Sequence, residues 1–567
     1  MRIAIAQINS TIGDFLGNKE KILQFARRAE EEKADLVLFP ELAVCGYPPM
    51  DLLDQDCFTE LNIKTVRMLQ QELPPEIAVG LGFVNRNPFQ SGKSLVNVYG
   101  ILHKRRLVFQ QLKTLLPTYD VFDEARNFEP ARNWDLFEYK GERIGVAICE
   151  DLWRETGIPG TVYTKDPVRE LLDQGVTLLC APSASPYEAG KLKVRKELAE
   201  RISLRGNIPL IYVNAVGAND QIIFDGRSFV MNRGGNKGLT EAKAFDEDFL
   251  IWNSALVPSK SEPVPGIYPG THCEDAGLSA YELDIMETAL TTGIRDYMKK
   301  CGFSRAHLGL SGGIDSALVA YLAVKAAGPD NVVCFSMPSR FSSQGSKDDA
   351  KELAANLGCP YKTLPIEGIF SAFLSSLEEV FENKPFDIAE ENLQARIRGT
   401  LLMGYSNKFN SMLLTTGNKS ELAMGYCTLY GDTNGALGPI GDVFKTEVFA
   451  LCRRINERAL AAGGKAIIPT AIIDKPPSAE LRPNQKDQDS LPPYNVLDQI
   501  LRLYLYENLS KGEIVKRGWN DELAQWIIKT VARAEFKRRQ APPVLKVSKR
   551  AFGMGRRMPI ARVIYES

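Results

Sequence analysis

"RAHLGLSGGIDSALVAYLAVKAAG", residues 305–328, decides the fold of the second half of this chain. An apolar run ends in Ser311-Gly312-Gly313, and an apolar stretch with helical spacing begins at once. That is strand, tight turn, helix. "NVVCFSMPS" (331–339) reads as the next strand and "SKDDAKELAANLG" (346–358) as the next helix. The pattern is βαβ, so the sheet is parallel with crossover helices. Two glycines let the backbone approach a ligand closely, and N–H groups at the helix start then face one anion. A plain strand–helix turn has the same spacing. The loop lacks the lysine of G-x-x-x-x-G-K-[ST], and it is not G-x-G-x-x-G.

Upstream, short apolar runs alternate with amphipathic stretches. "RIAIAQI", "DLVLFPE", "AVGLGFV", "NVYGILH", "RIGVAIC", "VTLLCAPSA" and "LIYVNAVG" read as strands, and "NKEKILQFARRAEEEKA" and "KVRKELAERISLRG" as helices. This predicts a second α/β domain rich in strands. Around 255–275 the text becomes rich in Pro, Gly and Ser without a period. The expected division is 1–265, a linker at 266–275, and 276–567.

The 567 residues carry a formal net charge of −1, so no bulk basic field points to nucleic acid. No run of 18 apolar residues suggests a membrane span, and the start reads as a first strand rather than a signal peptide. Ten cysteines without CxxC spacing argue against zinc or a disulfide framework, so a cytoplasmic home is expected.

"RIGVAICEDLW" (143–153) reads as a strand ending in Cys149, Glu150 and Asp151. Nearby acids disfavour a thiolate, although strand alternation points Glu150 away from Cys149. Of three histidines only His103 precedes residue 270, and "GILHKRRL" places it at a strand end and turn. A carboxylate is the better base: Glu41 in "DLVLFPELAVCGYPP" follows an apolar strand, and partial burial raises such a pKa toward neutrality. "QLKTLLPTYDVFDEAR" supplies a fixed cation, Lys113. The bland alternative is a buried structural cysteine.

Glu41, Lys113 and Cys149, in order and context, resemble the Glu-Lys-Cys triad of the nitrilase superfamily. That resemblance implies glutamine recognition by Tyr119, Ser185 and Lys191. The 311–316 loop resembles S-G-G-x-D-S of the N-type ATP pyrophosphatases. It implies that ATP lies on Gly309, Leu310, Ser311, Gly312, Gly313, Ile314, Asp315 and Ser316, with Asp315 helping to hold Mg²⁺. "EENLQARIRGTLLMGYSN" (390–407), "LLTTGNKSELAMGYCTLYGDTNGALGPIGDVFKTEVF" (413–449), "KPPSAELRPNQKDQDSLPPY" (475–494) and "EFKRRQAPP" (535–543) are similar to the NAD⁺ synthetases. Here the resemblance implies Thr416 on ATP, Glu421 as second metal ligand, and Asn392, Glu421, Tyr426 and Lys537 on deamido-NAD. Arg396 and Arg398 would lie near substrate phosphates or a dimer contact, and Asp442, Lys445 and Ser478 fall in the same motifs. Leu429 and Ala436 depart from the ammonia-only branch and fit the glutamine-dependent one.

The resemblance thus implies a nitrilase-like α-β-β-α sandwich followed by a Rossmann-like adenine nucleotide α-hydrolase domain. The implied reaction is Mg·ATP-dependent amidation of deamido-NAD to NAD⁺ by glutamine-derived ammonia, giving AMP, pyrophosphate and glutamate. A homo-oligomer follows from the same resemblance, at least a dimer, with an octamer in keeping with it. Two other readings stay open: an amidase regulated by ATP, and a different S-G-G-x-D-S amidotransferase ligase.

Overall fold

The computed structural model describes residues 1–156, 163–254, 277–382 and 384–565; the expected linker, 266–275, lies outside them. The chain forms two compact units, Met1–Tyr268 and Pro269–Ser567.

In the first unit two six-stranded sheets pack face to face. The first contains, in spatial order, Asp248–Asn253, Arg2–Gln7, Leu36–Leu38, Ala78–Arg86, Leu95–His103 and Arg106–Leu112. The second runs Asn236–Glu241, Phe229–Asn232, Leu210–Asn214, Leu178–Ser183, Glu142–Val146 and Phe137–Tyr139. One core joins their inner faces: Ile3, Ile5, Leu36 and Ile101 from the first, and Ile144, Leu178, Ile211 and Val230 from the second. Alternation explains this, because every second residue of each strand faces the partner sheet. Helix Asp56–Glu72 covers the outside of the first sheet, and Pro167–Asp173 and Lys191–Gly206 cover the second. Each of the seven apolar runs named above contains a strand, although "RIGVAIC" leaves its strand at Val146 and "DLVLFPE" keeps only Leu36–Leu38.

The second unit carries a four-stranded parallel sheet in the order Tyr361–Thr363, Val332–Ser336, Ala306–Gly309, Met412–Leu413. Helices Ile314–Ala327 and Gln344–Leu357 make the crossovers. The Gly-rich turn therefore sits at the carboxyl end of a central strand, where open α/β sheets bind ligands. Among the described residues no helix is long and apolar enough to cross a membrane.

Packing leaves no slack beside Glu41. A Cβ on Gly82, in strand Ala78–Arg86, would stand 2.2 Å from the Leu42 nitrogen. Leu42 itself has a left-handed φ of 46°. Gly82→Ala is expected to destabilise the first unit by about 1–3 kcal/mol through overpacking. Urea unfolding checks this, and unchanged stability would show that the Glu41 turn yields freely.

Candidate active sites

Three chain segments bring the first site together. Glu41 follows the short strand Leu36–Leu38, and Lys113 follows Arg106–Leu112. Cys149 is not on a strand as expected: the strand ends at Val146, and Cys149 opens a 3₁₀ turn, Cys149–Thr156, with a left-handed φ of 45°. Such backbone costs about 1–3 kcal/mol and gathers at functional sites. Asp151 secures the turn, accepting from the backbone N–H groups of Ile148 (3.1 Å), Thr114 (3.0 Å) and Leu115 (2.7 Å). One buried carboxylate thus ties the cysteine turn to the segment carrying Lys113.

The Lys113 ammonium donates to Glu41 Oε1 and to Glu124 Oε1, each at 2.7 Å. All three side chains are at most 5% exposed. Glu41 also accepts from Asn97 Nδ2 (2.8 Å) and, through Oε2, from the Ala184 N–H (3.1 Å). Burial would lower the lysine pKa, but the charges of Glu124 and Glu41 outweigh it and raise the group well above its usual range. Burial, helped by Glu41, pushes the Glu124 carboxyl up to about 7. Its second oxygen, Oε2, is buried without a hydrogen-bond partner.

The Cys149 thiol is pushed upward by burial and by Glu41; Lys113 opposes this, and Glu150 and Glu124 add to it. The alternation argument about Glu150 therefore fails, because the cysteine lies on a turn and feels that charge. Glu150 accepts from the hydroxyls of Tyr119 (3.0 Å) and Tyr163 (2.7 Å). Lys191 lies with its ammonium 5.6 Å from the Trp153 ring centre, and its charge also acts on Glu150. Ser185 is anchored from several sides. Its N–H donates to Asn214 Oδ1 (2.9 Å), and buried Arg195 donates to its Oγ (3.2 Å) and carbonyl (2.9 Å). His103 packs edge-on against Tyr139 at a strand end.

In the second unit a cleft of about 720 Å³ opens over the Gly-rich turn. Gly309, Leu310, Ser311, Gly313, Ile314, Asp315 and Ser316 line it, with Asn392, Thr416, Glu421, Tyr426 and Lys537. Gly312 does not line the cleft. Its φ is +80°, and a Cβ there would meet the Ser346 carbonyl oxygen at 2.2 Å, so glycine is required for packing. Lys445, buried, contacts Asp315 and lies 3.4 Å from Glu421. Asp315 also accepts from Asn418 Nδ2 at 2.9 Å. Burial and then Asp315 push the Glu421 carboxyl up to about 8. Asn392 accepts from Thr428 Oγ1 (2.6 Å). Lys537 donates to the Gly425 and Cys427 carbonyls at 2.7 and 2.8 Å, which fixes the Tyr426 turn. Arg398 lines the cleft, whereas Arg396 donates to the Leu429 carbonyl at 3.2 Å. Asp442 is a buried tie, receiving Lys419 (2.6 Å) and the N–H groups of Val547 and Ser548 (both 2.8 Å).

Sequence reasoning missed Glu124, Asn97 and Asp487. Asn97 interrupts the apolar run "LVNVYGILH", a polar residue on a buried strand that calls for a partner. Asp487, buried at the cleft and receiving the Tyr494 hydroxyl at 2.8 Å, stands in a charged stretch that reads as surface.

Two families match the chain: carbon-nitrogen hydrolase over residues 2–237 and NAD synthase over 286–541. The glutamine-dependent NAD(+) synthetase of Synechocystis sp. is 47% identical over 99% of both chains. That of Thermotoga maritima is 39% identical over 99% of this chain and 98% of its own. The solved glutamine-dependent NAD+ synthetase of Acinetobacter baumannii, in complex with adenosine diphosphate, is 36% identical with a TM-score of 0.75, covering 99% of this chain and 98% of that one.

Because the Glu124 charge acts against ionisation of Cys149, Glu124→Gln is expected to let the thiol react at lower pH, by ~1 unit. The thiol ionises above its ordinary range, so the readout is the rate at which iodoacetamide alkylates the Cys149 peptide, followed by mass spectrometry at fixed pH above about 7, where the variant is expected to react ~10-fold faster. An unchanged rate would separate Glu124 from the thiol.

Proposed function

The chain belongs to the glutamine-dependent NAD(+) synthetases, and from that premise we propose how its own residues divide the work between two sites. The reaction is ATP-dependent amidation with glutamine as nitrogen donor, and the enzyme is a ligase. The observation that carries the residue assignment is the Lys113 ammonium held between Glu41 and Glu124 beside Cys149.

In the first site Glu41 takes the thiol proton as Cys149 Sγ attacks the carboxamide carbon of glutamine. Lys113 offsets the negative charge on the tetrahedral oxygen. The proton passes to the leaving nitrogen, ammonia departs, and a thioester remains. Glu41 then draws a proton from water, which releases glutamate and restores the thiol. Tyr119, Ser185 and Lys191 receive the rest of the glutamine, with Glu150 as the carboxylate neighbour of Tyr119 and Lys191.

In the second site the nicotinate carboxylate of deamido-NAD attacks the α-phosphorus of ATP. Pyrophosphate leaves onto Ser311, Gly313 and Ser316, which line the cleft at the start of helix Ile314–Ala327, where N–H groups favour an anion. Ammonia displaces AMP from the acyl-adenylate and gives NAD⁺. Thr416 contacts ATP, while Asn392, Tyr426 and Lys537 shape the deamido-NAD side of the cleft.

Asp315 and Glu421 suit Mg²⁺: they are two hard oxygen ligands, and burial together with the Asp315 charge favours the protonated form of Glu421. When bound, the ion would neutralise phosphate charge. The Glu421 pKa is raised from 4.5 to about 8, so its proton is held below that pH and must leave for it to ligate. Mg²⁺ affinity, measured calorimetrically with ATP present, is therefore expected to rise with pH up to about 8 and to release a proton. Glu421→Gln is expected to remove that pH dependence; its persistence would exclude Glu421 as a ligand.

The same proposal includes a cytoplasmic enzyme that is at least a dimer, and a single-chain mass by light scattering would overturn the latter. Cys149→Ala tests the division of labour. Glutamine-dependent NAD⁺ formation is expected to fall at least ~1,000-fold while ammonium-dependent formation stays within about twofold. Equal loss with both donors would reject Cys149 as the glutaminase nucleophile.

A further inference from the structure

Two cysteines of the second unit touch, and no step above uses them. Cys334 lies in the central strand Val332–Ser336 and is fully buried. Cys359 follows helix Gln344–Leu357 immediately after its left-handed Gly358 cap and is 8% exposed. Their sulfurs are 3.7 Å apart. The backbones are already joined there, because the Cys334 N–H donates to the Pro360 carbonyl at 2.9 Å. Both thiols are free.

We propose that Cys334 and Cys359 are an oxidisable dithiol, a modification site for a peroxide-class oxidant, and that the resulting disulfide suppresses the ATP-dependent half of the reaction. The effect on activity rests on reading the second unit as the synthetase; formation of the bond does not.

The two sulfurs are unequal. A hydrogen bond joins them, and Cys334 is fully buried whereas Cys359 is 8% exposed. Cys359, on the more open side, is the attacking thiolate. Its sulfur attacks a peroxide oxygen, the O–O bond breaks, and sulfenic acid forms with release of one water. The Cys334 sulfur then attacks the sulfenyl sulfur; the S–O bond breaks and a second water leaves with the thiol proton. The pair loses two electrons, and the peroxide gains them.

Bond formation would shorten the contact from 3.7 Å to about 2.05 Å. Both tethered elements bear on the ATP turn. The Phe335 carbonyl, next to Cys334, accepts from the Leu310 N–H at 2.7 Å. Helix Gln344–Leu357, which leads to Cys359, presents the Ser346 carbonyl to Gly312, where even a methyl group has no room. Phe335, Ser336, Met337 and Pro338 line the cleft itself. A contraction within this strand and at the far end of this helix must therefore be taken up at the pyrophosphate turn, and displacements of about 1 Å at a reacting centre can cost ~100-fold.

The full-length protein, reduced and then treated with hydrogen peroxide, is digested without reduction and mapped by mass spectrometry. NAD⁺ formation is assayed in parallel with ammonium as donor, which keeps Cys149 out of the readout. A Cys334–Cys359 cross-link is expected, with a loss of activity of roughly tenfold or more that dithiothreitol reverses. Cys359→Ser, and Cys334→Ala, which puts no hydroxyl in the buried strand, are expected to keep their activity through the same treatment. Absence of the cross-link, or Cys359 recovered only as sulfinic acid, overturns the proposal. A cross-linked protein with undiminished activity overturns its link to ATP chemistry. If the reduced protein makes no NAD⁺ from ammonium while the cross-link still forms, the synthetase reading fails and the dithiol stands.

Discussion

One buried ammonium, that of Lys113, faces two buried carboxylates at equal distance. Removing each ion from water costs several kcal/mol, which only close pairing offsets. Two acids against one base leave an excess negative charge in a dry site, so the cluster keeps a proton most cheaply on Glu124, whose pKa is pushed up to about 7. The rest of the first unit is arranged around this constraint. Glu41 and Lys113 leave strands of one sheet, while Cys149 and Ala184 follow strands of the other. The site exists because the two sheets pack on one core.

The second unit repeats the device with a different outcome. Lys445 stands between Asp315 and Glu421, again one buried lysine against two acids. Here the acids line an open cleft beside the Gly-rich turn, and Glu421 is raised to about 8. In the first unit the lysine is the permanent cation of a closed site. In the second it counters only part of the acid charge, and a second cation accompanying a triphosphate would be favoured there.

Much of this was legible in the sequence. Apolar runs bounded by turn residues marked the strands, because inner-face residues of a sandwich must be apolar whatever surrounds them. Glu41, Lys113 and the Ser311–Ser316 turn stand at strand ends, where local spacing carries the information. What was not legible depends on long-range contact. Glu124 joins the Lys113 cluster only because the chain after Lys113 folds back onto the lysine, and in sequence it is one acid among several. The role of Asp151 was misread for the same reason: its charge looked harmful to the thiol, yet three backbone N–H groups hold it as a structural tie. Glu150 was excused by strand alternation, and that rule lapsed when the strand stopped at Val146.

Under the mechanism proposed above, these contacts also constrain the order of events at Cys149. Burial and three neighbouring carboxylates hold the thiol protonated, and a single ammonium does not reverse that. A free thiolate is thus not the resting form of Cys149. The proton must leave as the new carbon–sulfur bond forms, when negative charge moves from sulfur to the substrate oxygen beside Lys113. Glu41 is suited to receive it because Lys113, Asn97 and the Ala184 N–H already hold both of its oxygens in place. The acids that make Cys149 a poor thiolate therefore protect it when the site is empty, and the same electrostatics favour reaction only once an amide carbonyl is present to take the charge.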